Sequence, residues 1–592
     1  MLRTHTCGEL SKKDINQTVM LCGWVHRRRD HGGIIFIDLR DRYGLTQITF
    51  DPEVDKAAWE AADKLRSEWV IQTTGKVMPR PADMVNKKLK TGEIEVEANE
   101  LKILNHSKTP PFEVDEEKAG EANEELRMKY RYVDLRRIKM LNNLILRNKT
   151  VKIIRDYFFQ NDFLDIETPA LVKDTPEGSR EYLVPSRVYP GHFYVLPQSP
   201  QQLKQLLMVG GVDKYFQIAK CFRDEDLRGD RQPEFTQFEI EMSFCDQEDV
   251  IQAMEGCFIE VTKKIVPDKK ILKKPFPRIT WQEAMLKYGS DKPDIRFALE
   301  IMPITDLVKN CGFKVFADMA EKEGHVVHAL KVDGGAKLTR KEIDDLTGLA
   351  NDNGAKGLAY IVLKTENKLQ SPIVKFLGED LAWRIVKAVG AKIGDIIFFG
   401  ADKFIAVCAV LGAVRKECAR ILDVIPKDQF AYLWVVDFPL FEISKESGEL
   451  SSAHHPFTRP MDEDIKFLDS NPAKVRSHAY DLVLNGVEIG GGSMRIHERD
   501  LQSKIFKILN ISSKAAEKRF GHMLKAFEYG APPHGGIAMG LDRFIMLLAG
   551  EPNIREVMAF SKDSKAKDPM LNTPSMVSDK LLKELGLKLS KD

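Results

Sequence analysis

Hydrophobic and polar positions alternate along one segment near the middle of the chain. From Gln237 to Ser243, the apolar residues Phe238, Ile240 and Met242 are separated by polar ones. A period of two is typical of a strand with one buried face, so we expect its carboxylates Glu239 and Glu241 to project into a site. The segment from 215 to 222 also predicts a strand. The two strands then form a hairpin, and its loop, residues 224 to 233, carries Arg228, Arg231 and Gln232.

Short apolar runs recur at regular spacing over residues 1 to about 105. They are rich in β-branched and aromatic residues, and turn signals separate them. About five such strands with one helical segment, Asp55 to Arg66, predict a small Greek-key barrel of the OB type. The charged run from His26 to Gly33 predicts a basic loop that joins two of these strands. Arg40 and Arg42 are expected to lie on the rim of a groove.

Two further patterns belong to the remainder of the chain. The stretch FFQNDFLDIETPAL predicts a helix end and a short strand that Pro169 terminates, after an amphipathic helix from Asp134 to Gln160. The stretch HGGIAMGLDRFIMLLAG predicts a glycine-rich strand that runs into an apolar helix, with Arg543 at the helix start. Its glycines permit close backbone approach to a flat ligand, but they also suit a tight packing turn, and the pattern alone leaves both open.

Composition limits the classes of protein without choosing one. The chain has 592 residues, and 89 Lys and Arg oppose 88 Asp and Glu, so any nucleic-acid contact must come from local basic patches. No apolar run reaches membrane-spanning length and the N-terminus is not of the signal type, so we expect a soluble cytoplasmic protein. The eight cysteines form no C-x-x-C pair, which argues against a zinc ribbon or a disulfide framework.

The chain is too long for one core, so three or four domains are expected. Composition predicts a barrel domain over 1–106, a polar hinge over 107–130 and a C-terminal extension over 561–592. The stretch VDGGAKLTRKEIDDLTGLANDNGAKGLAYI resembles a GAD-type insertion domain, which implies a first catalytic segment over 131–289, an inserted α+β module over 290–427 and a second catalytic segment over 428–560. The extension begins with a flexible cationic stretch and closes with a short helix. No chemistry is readable in the inserted module.

Two clusters carry candidate chemistry. Arg223 lies beside carboxylates at the start of the hairpin loop, as expected of a side chain that grips a nucleotide phosphate, although a solvated charged hairpin is the alternative. Asp481 and Glu488 flank an Asn485-Gly486 turn, and a two-stranded hairpin with that turn would bring them together. Carboxylate pairs are typical ligands of Mg²⁺.

In their order and separation, the 158–171, 221–244 and 534–550 segments resemble motifs 1, 2 and 3 of the class II aminoacyl-tRNA synthetases. The sequences TPEGSREY, LPQSPQQLKQLLM, SAHHPFT, YDLVLNGVEIGGGSMRIH and GLDR resemble the bacterial aspartyl-tRNA synthetases over essentially the whole chain. The resemblance implies a multidomain α/β (α+β) fold with an OB-fold barrel, an antiparallel-sheet catalytic domain and a GAD-type insertion. It implies a homodimer, through the motif 1 helix and strand, that activates L-aspartate with ATP and Mg²⁺ and transfers it to tRNA-Asp.

The resemblance also implies roles for individual residues. Arg223 and Arg543 would be catalytic, and Asp481 and Glu488 would hold the metal. The implied aspartate-binding residues are Glu177, Ser199, Gln201, Lys204, Arg223, His454 and Arg495. The implied ATP-binding residues are Arg223, Asp224, Glu225, Gln232, Glu488, Gly540, Leu541, Asp542 and Arg543. The implied tRNA-binding residues are Arg29, His31, Phe36, Gln47 and Arg231.

Physical arguments apply to several positions beside the resemblance. Lys204 and Arg495 supply two cations for one substrate carboxylate, which disfavours asparagine because its amide donors would face donors. Glu239 departs from the family, where Asp is more frequent, so its contact with the substrate ammonium is in doubt. On pattern alone, Phe36 could be a core residue, and His454 could be a loop-packing residue.

His31 bears on the choice of tRNA. Histidine at this position resembles the non-discriminating bacterial enzymes, which also charge tRNA-Asn, because a polar ring can tolerate either pyrimidine at the third anticodon base. A strictly discriminating aspartyl enzyme, an asparaginyl enzyme and a nucleic-acid-binding paralogue without catalysis are the alternatives. Lys204, Arg495 and the long insertion argue against the asparaginyl enzyme, and the intact set of charged residues argues against the paralogue.

Overall fold

The computed structural model describes residues 1–115, 122–173, 179–365, 368–444 and 448–590. Contacts within the chain define two compact units. The first comprises Met1–Arg147 and Arg555–Met576, and the second comprises Asn148–Ile554 and Val577–Asp592.

The first unit contains a closed five-stranded barrel. Its strands, in the order β1-β2-β3-β5-β4, are β1 (Thr18–His31), β2 (Ile34–Asp41), β3 (Gly44–Phe50), β4 (Val70–Pro79) and β5 (Ile94–Asn105), with helix α1 (Lys56–Asp63) between β3 and β4. Alternate residues of β1 and β2, including Val19, Leu21, Ile35 and Ile37, are fully buried in its core. The predicted OB-type barrel is therefore confirmed.

Two details of the barrel differ from the sequence-based prediction. The charged run is not a loop, because β1 continues to His31 and only Gly32 and Gly33 make the turn, with φ of 62° and 87° that suit glycine. Arg40 is not on a groove rim. It is buried, and its guanidinium donates to Glu68 Oε2 at 2.8 Å.

The helices α2 (Glu124–Lys129), α3 (Arg131–Asp134) and α4 (Ile138–Gln160) follow the barrel. The predicted hinge is thus partly helical, and the boundary between the units falls within α4. Arg127 donates to Asp134 at 2.9 Å and to Glu556 at 2.9 and 3.0 Å. These contacts join residues 555–576 to the first unit, whereas the sequence assigned residues 555–560 to the second catalytic segment.

The second unit is built on an eight-stranded sheet in the order β12-β19-β22-β23-β24-β10-β9-β6. Neighbouring strands are antiparallel except for the pairs β12–β19 and β6–β9. Its first part contains β6 (Leu164–Asp165), β7 (Leu183–Pro185), β8 (Phe193–Val195), α5 (Gln201–Val209), β9 (Lys214–Phe222), β10 (Glu234–Ser243), α6 (Gln247–Ile265), β11 (Lys270–Ile271), β12 (Arg278–Thr280) and α7 (Trp281–Tyr288). The predicted hairpin corresponds to β9 and β10.

The central strand β10 differs from its prediction in one respect. Both of its faces are buried, since Phe238 and Ile240 on one face and Glu239 and Glu241 on the other are at most 1% exposed. A half-buried strand, with its carboxylates projecting into a site, was expected. Its polar face is covered instead by α5, whose Lys204 contacts both carboxylates, and by Arg495, which contacts Glu241.

The insertion is an α+β module around a five-stranded sheet in the order β13-β14-β17-β15-β16. Its elements are β13 (Ile301–Pro303), α8 (Thr305–Val308), α9 (Lys314–Glu321), β14 (His325–Val332), α10 (Arg340–Asp352), β15 (Ala359–Thr365), β16 (Lys368–Gln370), α11 (Val374–Leu377), α12 (Glu379–Ala388), β17 (Ile396–Lys403) and α13 (Phe404–Ile421). Apolar clusters pack on both faces of this sheet.

The chain then returns to the large sheet. The remaining elements are β18 (Gln429–Phe430), β19 (Tyr432–Val436), β20 (Phe441–Ile443), β21 (Leu450–Ser452), β22 (Ala479–Leu484), β23 (Val487–Met494), α14 (Arg499–Ile508), α15 (Ser513–Phe527), β24 (His534–Gly540), α16 (Leu541–Ala549) and α17 (Asp579–Glu584). The β22–β23 turn at Asn485-Gly486 and the strand-to-helix step from β24 to α16 were both predicted. Both turn residues have positive φ, 53° and 79°, as in a type I′ hairpin.

The cationic stretch after Phe560 is an ordered turn rather than a flexible tail. Asp563 N donates to Lys567 O at 2.8 Å, and Asp568 N donates to Thr573 O at 2.9 Å. Asp568 is buried. Among the described residues, no helix is long and apolar enough to cross a membrane.

Candidate active site

A cavity of about 1420 Å³ opens above the centre of the large sheet, within the second unit. The sequence-predicted residues that line it are Ser199, Gln201, Arg223, Glu225, Arg231, Gln232, His454, Asp481, Glu488, Arg495, Gly540, Asp542 and Arg543. They come from several elements separated by up to about 340 positions in the chain. The fold therefore brings most of the predicted set to one place.

Four charged side chains form a buried cluster beside this cavity. Lys204 Nζ lies 3.0 Å from Glu239 Oε2 and 3.4 Å from Glu241 Oε2. Arg495 donates to the same Glu241 through Nε at 2.9 Å and through Nη2 at 3.1 Å. All four side chains are at most 2% exposed. Lys204 and Arg495, which the sequence expected to meet, do so at a protein carboxylate.

The two carboxylates of the cluster differ in their proton affinity. Burial opposes the charge of Glu241, but the adjacent guanidinium of Arg495 and the ammonium of Lys204 outweigh it and lower the pKa of Glu241. For Glu239, burial dominates and raises the pKa, although Lys204 opposes this rise. Glu239 Oε1 has no hydrogen-bond partner among the described residues. The raised pKa of Glu239 weakens the negative side of this cluster, which favours an acidic ligand over a basic one.

Glycines of β24 leave the space that the cluster occupies. A Cβ added at Gly536 would lie 2.1 Å from Glu241 Oε2, so no larger residue fits there without moving this carboxylate. Gly536 O also accepts a hydrogen bond from Arg495 Nη2 at 3.1 Å. The glycines of this strand thus have a close-approach role.

One member of the histidine pair, His455, contacts the same arginine. Arg495 Nη1 lies 2.8 Å from His455 Nε2 and 2.6 Å from Ser493 Oγ. Because arginine only donates, Nε2 must accept, and His455 is therefore neutral. Burial and the charge of Arg495 hold its pKa well below the usual range. The ring of His454 packs edge-on against Phe438 with centroids 4.8 Å apart, and burial lowers its pKa to about 4.

The hairpin loop and the start of α16 surround another part of the cavity. The guanidinium of Arg223 stacks over the Phe235 ring at 5.0 Å, and its Nε lacks a partner within the described ranges. Arg231 Nη1 pairs with Glu225 Oε2 at 2.7 Å. Arg543 donates to Glu488 O at 2.7 Å and pairs with Asp230 at 3.0 Å. Three arginines therefore surround a space open to an anionic ligand.

The hairpin β22–β23 carries the predicted metal ligands. Asp481 is buried, and its Oδ1 has no hydrogen-bond partner in the described part of the chain. Burial raises the pKa of Asp481 well above its usual range, and the charge of Glu488 adds to this rise. A Cβ at Gly491 would lie 2.5 Å from this oxygen, so the glycine leaves room beside it. Two like carboxylates and an unpartnered oxygen fit a divalent cation that completes its shell with phosphates and water. No cluster of three or more candidate ligands occurs among the described residues.

Some predicted residues lie elsewhere. Leu541 is 1% exposed and packs in the core, so its side chain does not line the cavity. Asp224 is exposed, and its N–H donates to Arg180 O at 3.0 Å. Lys204 is buried behind the cavity wall. Glu177 lies outside the described residues.

The predicted tRNA-binding residues of the barrel lie on neighbouring strands β1, β2 and β3 of the first unit. Arg29 donates to Asp38 at 2.7 Å and to Gln47 at 3.2 Å, so their side chains are adjacent. Phe36 is half-buried and lies outside the barrel core, which corrects the core-packing alternative. The exposed ring of His31 meets Phe36 edge-on, with centroids 6.5 Å apart.

Three contributions were missed by the sequence analysis. Glu241 is the shared partner of both cations, and His455, rather than its neighbour, contacts Arg495. Ser290, Asp291 and Lys292, at the start of the insertion, line the cavity. The SDKPD sequence at 290–294 is a turn-rich charged stretch and was the available signal.

Comparisons with known proteins agree with this arrangement. A family model described as "tRNA synthetases class II (D, K and N)" matches residues 123–564, and one described as "OB-fold nucleic acid binding domain" matches residues 19–104. The aspartate–tRNA(Asp/Asn) ligase of Syntrophomonas wolfei is 51% identical over 589 residues, which cover 100% of both proteins. The aspartate–tRNA ligase of Enterococcus faecalis is 53% identical over 589 residues, which cover 99% of each.

A solved structure, the asparaginyl-tRNA synthetase of Pyrococcus horikoshii complexed with asparaginyl-adenylate, has a TM-score of 0.60. It is 17% identical and covers 95% of this chain and 98% of its own, which supports the fold alone. The full-length matches are closer. The chain belongs to the class II tRNA synthetases of the D, K and N group and, within it, to the bacterial aspartyl-tRNA synthetases.

Proposed function

We propose that this protein is an aspartate–tRNA ligase that forms aspartyl-adenylate from L-aspartate and ATP and transfers the aspartyl group to tRNA-Asp and tRNA-Asn. The observation that carries the proposal is the convergence of Lys204 and Arg495 on Glu241 beside the cavity that Arg223 and Arg543 line. Its full-length identity to aspartate–tRNA ligases supports the same activity.

Arg495 selects the amino acid. It is the cation of the buried cluster that also lines the cavity, and the Nη1 of its guanidinium fork, which contacts Ser493 Oγ, would exchange that neutral partner for the substrate carboxylate. Glu241 and His455 hold this fork in place, while Lys204 adds positive charge from behind. Asparagine would bring amide donors to a site built of donors, and such mismatches can reach discrimination of about 10⁴. Ser199, Gln201 and Glu177 are proposed to receive the substrate ammonium.

Arg223 and Arg543 act on ATP. The aspartate α-carboxylate is already ionised and attacks the α-phosphorus, so positioning and cationic stabilisation are the main requirements of this step. Arg223, with an unpartnered Nε, is placed to bind the α-phosphate. Arg543, Arg231 and Gln232 would hold the outer phosphates. Asp481 and Glu488 would bind Mg²⁺, which would neutralise phosphate charge when bound.

The barrel would bind the anticodon. Arg29 and Gln47 offer polar contacts to bases, and Phe36 offers a ring for stacking. The non-discriminating activity rests on His31 and on the S. wolfei relative, which is named for both tRNAs. The E. faecalis relative is named for aspartate–tRNA ligation alone. A direct test must therefore distinguish an enzyme that charges both tRNAs from one that charges only tRNA-Asp.

We also propose a homodimer. The strand β6 forms one edge of the large sheet, and both of its residues are exposed. Exposed apolar side chains occur close to it in the chain, including Phe159, Leu164 and Leu171, which are 50–56% exposed. An open sheet edge with apolar neighbours is a template for pairing, and a second copy of this chain would cover it. Sedimentation at micromolar concentration tests this part.

ATP–pyrophosphate exchange with aspartate or asparagine tests the activation step. We expect exchange with aspartate only, and exchange with asparagine alone would refute the assignment. Aminoacylation of pure tRNA-Asp and tRNA-Asn then tests the second step. Comparable kcat/KM for both is expected, whereas a preference for tRNA-Asp above about a hundredfold, near 2.7 kcal/mol, would refute the relaxed specificity.

A further inference from the structure

The insertion contributes directly to the candidate active site. Asp291 and Lys292, at its entrance, line the cavity together with Ile405 and Ala409 of its helix α13. Lys292 Nζ lies 3.9 Å from Glu488 Oε2, one of the two candidate metal ligands. The side chain of Lys292 is half-exposed. A separate surface module would not contribute a cation at this place.

Close backbone contacts hold this segment against the sheet. A Cβ at Gly289 would lie 2.4 Å from Cys408 O and 2.8 Å from Gly412 N, so α7 ends directly on helix α13. A Cβ at Gly486, in the β22–β23 turn, would lie 2.9 Å from Asp294 Cβ. Residues 289 to 294 are thus fixed at one end by α13 and at the other by the hairpin that carries Asp481 and Glu488.

A buried arginine reinforces the same segment. Arg415 of α13 donates to the carbonyl oxygens of Leu299 at 2.8 Å, Asp294 at 3.0 Å and Phe297 at 3.1 Å. Its guanidinium also lies over the rings of Tyr288 and Phe297, at 4.9 and 4.2 Å. The chain on both sides of Lys292 is therefore attached to one helix of the insertion.

The cations at this end of the cavity differ in how closely they are paired with protein carboxylates. Arg231 pairs with Glu225 at 2.7 Å, and Arg543 contacts both Asp230 and Glu488 O. The pair of Lys292 and Glu488 is longer than a hydrogen bond. An incoming polyphosphate can therefore recruit Lys292 without breaking a short ion pair.

We propose that Lys292 binds the β- and γ-phosphates of ATP and then the pyrophosphate that leaves. The proposal deepens the proposed function and rests on it. In the activation step, an aspartate carboxylate oxygen forms a bond to the α-phosphorus. The bond from the α-phosphorus to the bridging oxygen breaks, and pyrophosphate leaves with the electron pair. Lys292, as an ammonium, neutralises part of the charge that gathers on this leaving group.

The variants Lys292→Ala and Lys292→Arg test the proposal in ATP–pyrophosphate exchange. We expect Lys292→Ala to raise the KM for ATP and for pyrophosphate by about tenfold, as one charge-assisted contact is lost, and the KM for aspartate to stay within about threefold. Lys292→Arg keeps the charge and should recover most of this loss. Equilibrium dialysis of Mg-ATP without aspartate should give a matching loss of affinity.

The matched control is Lys309→Ala, an exposed lysine of the insertion that pairs with Asp306 at 2.7 Å and does not line the cavity. It should behave as the wild type. Unchanged KM values for ATP and pyrophosphate in Lys292→Ala would overturn the proposal. So would a change confined to the Mg²⁺ concentration needed for half activity, because Lys292 would then act only through Glu488. A wild-type enzyme without aspartate-dependent exchange would instead refute the proposed function itself.

Discussion

At the scale of single residues, Glu241 is the shared partner of the two buried cations of the site. It accepts two hydrogen bonds from Arg495 and lies 3.4 Å from Lys204, so one carboxylate orients both cations. A bidentate guanidinium–carboxylate pair fixes the plane of the arginine fork. The Nη1 end of the guanidinium, which contacts His455 Nε2 and Ser493 Oγ, is thereby held in a fixed orientation.

Replacement of Glu241 by glutamine tests this role. We expect Glu241→Gln to raise the KM for aspartate about a hundredfold, since lost charge-assisted hydrogen bonds are worth about 2 to 3 kcal/mol and Arg495 loses its orientation. The KM for ATP should stay within about threefold. Exchange kinetics measure both values, and Glu260→Gln, at a surface pair with Lys264, is the control. An unaltered KM for aspartate would contradict the assignment.

His328, in the insertion, predicts a pH dependence of stability. It is 2% exposed, its Nδ1 lacks a partner among the described residues, and burial lowers its pKa to about 4. The unfolded chain binds a proton at this residue below pH of about 6.5, whereas the folded protein does so only near 4. Its contribution to stability is therefore present above pH 6.5 and is lost as the pH falls towards 4.

The variant His328→Leu should lose this sensitivity. At pH 5 the wild type should have lost about 2 kcal/mol relative to pH 7.5 through this residue, and the variant should not. Thermal midpoints at both pH values measure the difference. His325→Gln is the control, because His325 lies at the open start of β14. Equal pH responses of wild type and His328→Leu would rule out this origin.

The residue types in the sequence predicted that Lys204 and Arg495 lie close together. They did not predict that both cations contact the carboxylate of Glu241. The roles of Lys204 and Arg495 follow from charge and resemblance. The burial of Glu239 and Glu241 does not, because alternation on a strand describes two faces and does not say what covers the polar one. That cover is Lys204 of helix α5 and Arg495, which lies 254 positions from Glu241 in the chain.

At the scale of elements, local pattern predicted most of the large sheet. The β9–β10 hairpin, the β22–β23 turn and the step from β24 to α16 all have strong turn or glycine signals. The charged run of β1 was misread as a loop because the burial alternation stops after Val25 and none of residues 26–31 is buried, so the usual period-two signal is missing there. The contacts of α13 with residues 289–299 could not be predicted, since they depend on tertiary packing.

Arg415→Met tests the element that holds Lys292. We expect a loss of about 3 kcal/mol in the stability of the insertion, because several buried carbonyl oxygens lose their donor. The KM for ATP should also rise severalfold, as the segment bearing Lys292 loosens. Thermal unfolding and exchange kinetics measure these effects. Arg420→Met, an exposed residue of the same helix paired with Glu417, should change neither. A stable variant with a normal KM for ATP would disprove the coupling.

At the scale of the whole molecule, the two units carry different tasks in the proposed function. The candidate anticodon residues belong to the first unit and the cavity to the second. The sequence predicted this separation but not the assignment of residues 555–576 to the first unit. Contacts such as Arg127 with Glu556 join residues more than 400 positions apart, and no local pattern marks them.

Paired variants should separate the two tasks. Arg223→Ala should reduce exchange at least about a thousandfold, because the α-phosphate loses its cation, and should change the tRNA Kd by less than about threefold. Phe36→Ala should weaken tRNA binding about tenfold through lost stacking and leave exchange intact. Filter binding and exchange assays measure both. The control is Tyr43→Ala, an exposed aromatic at the β2–β3 turn. Equal loss of both activities in either variant would refute the separation.

The alternation of charge from Glu239 through Lys204 and Glu241 to Arg495 limits how this pocket can be re-engineered. Each side chain contacts a neighbour of opposite charge, so replacing any one of them leaves another buried ionisable group without its partner. Libraries that randomise one codon at a time should therefore return mainly proteins with weakened aspartate binding. Directed evolution of the pocket towards an uncharged amino acid substrate will need compensating substitutions made in pairs. The effects of substitutions at these four positions should be strongly non-additive.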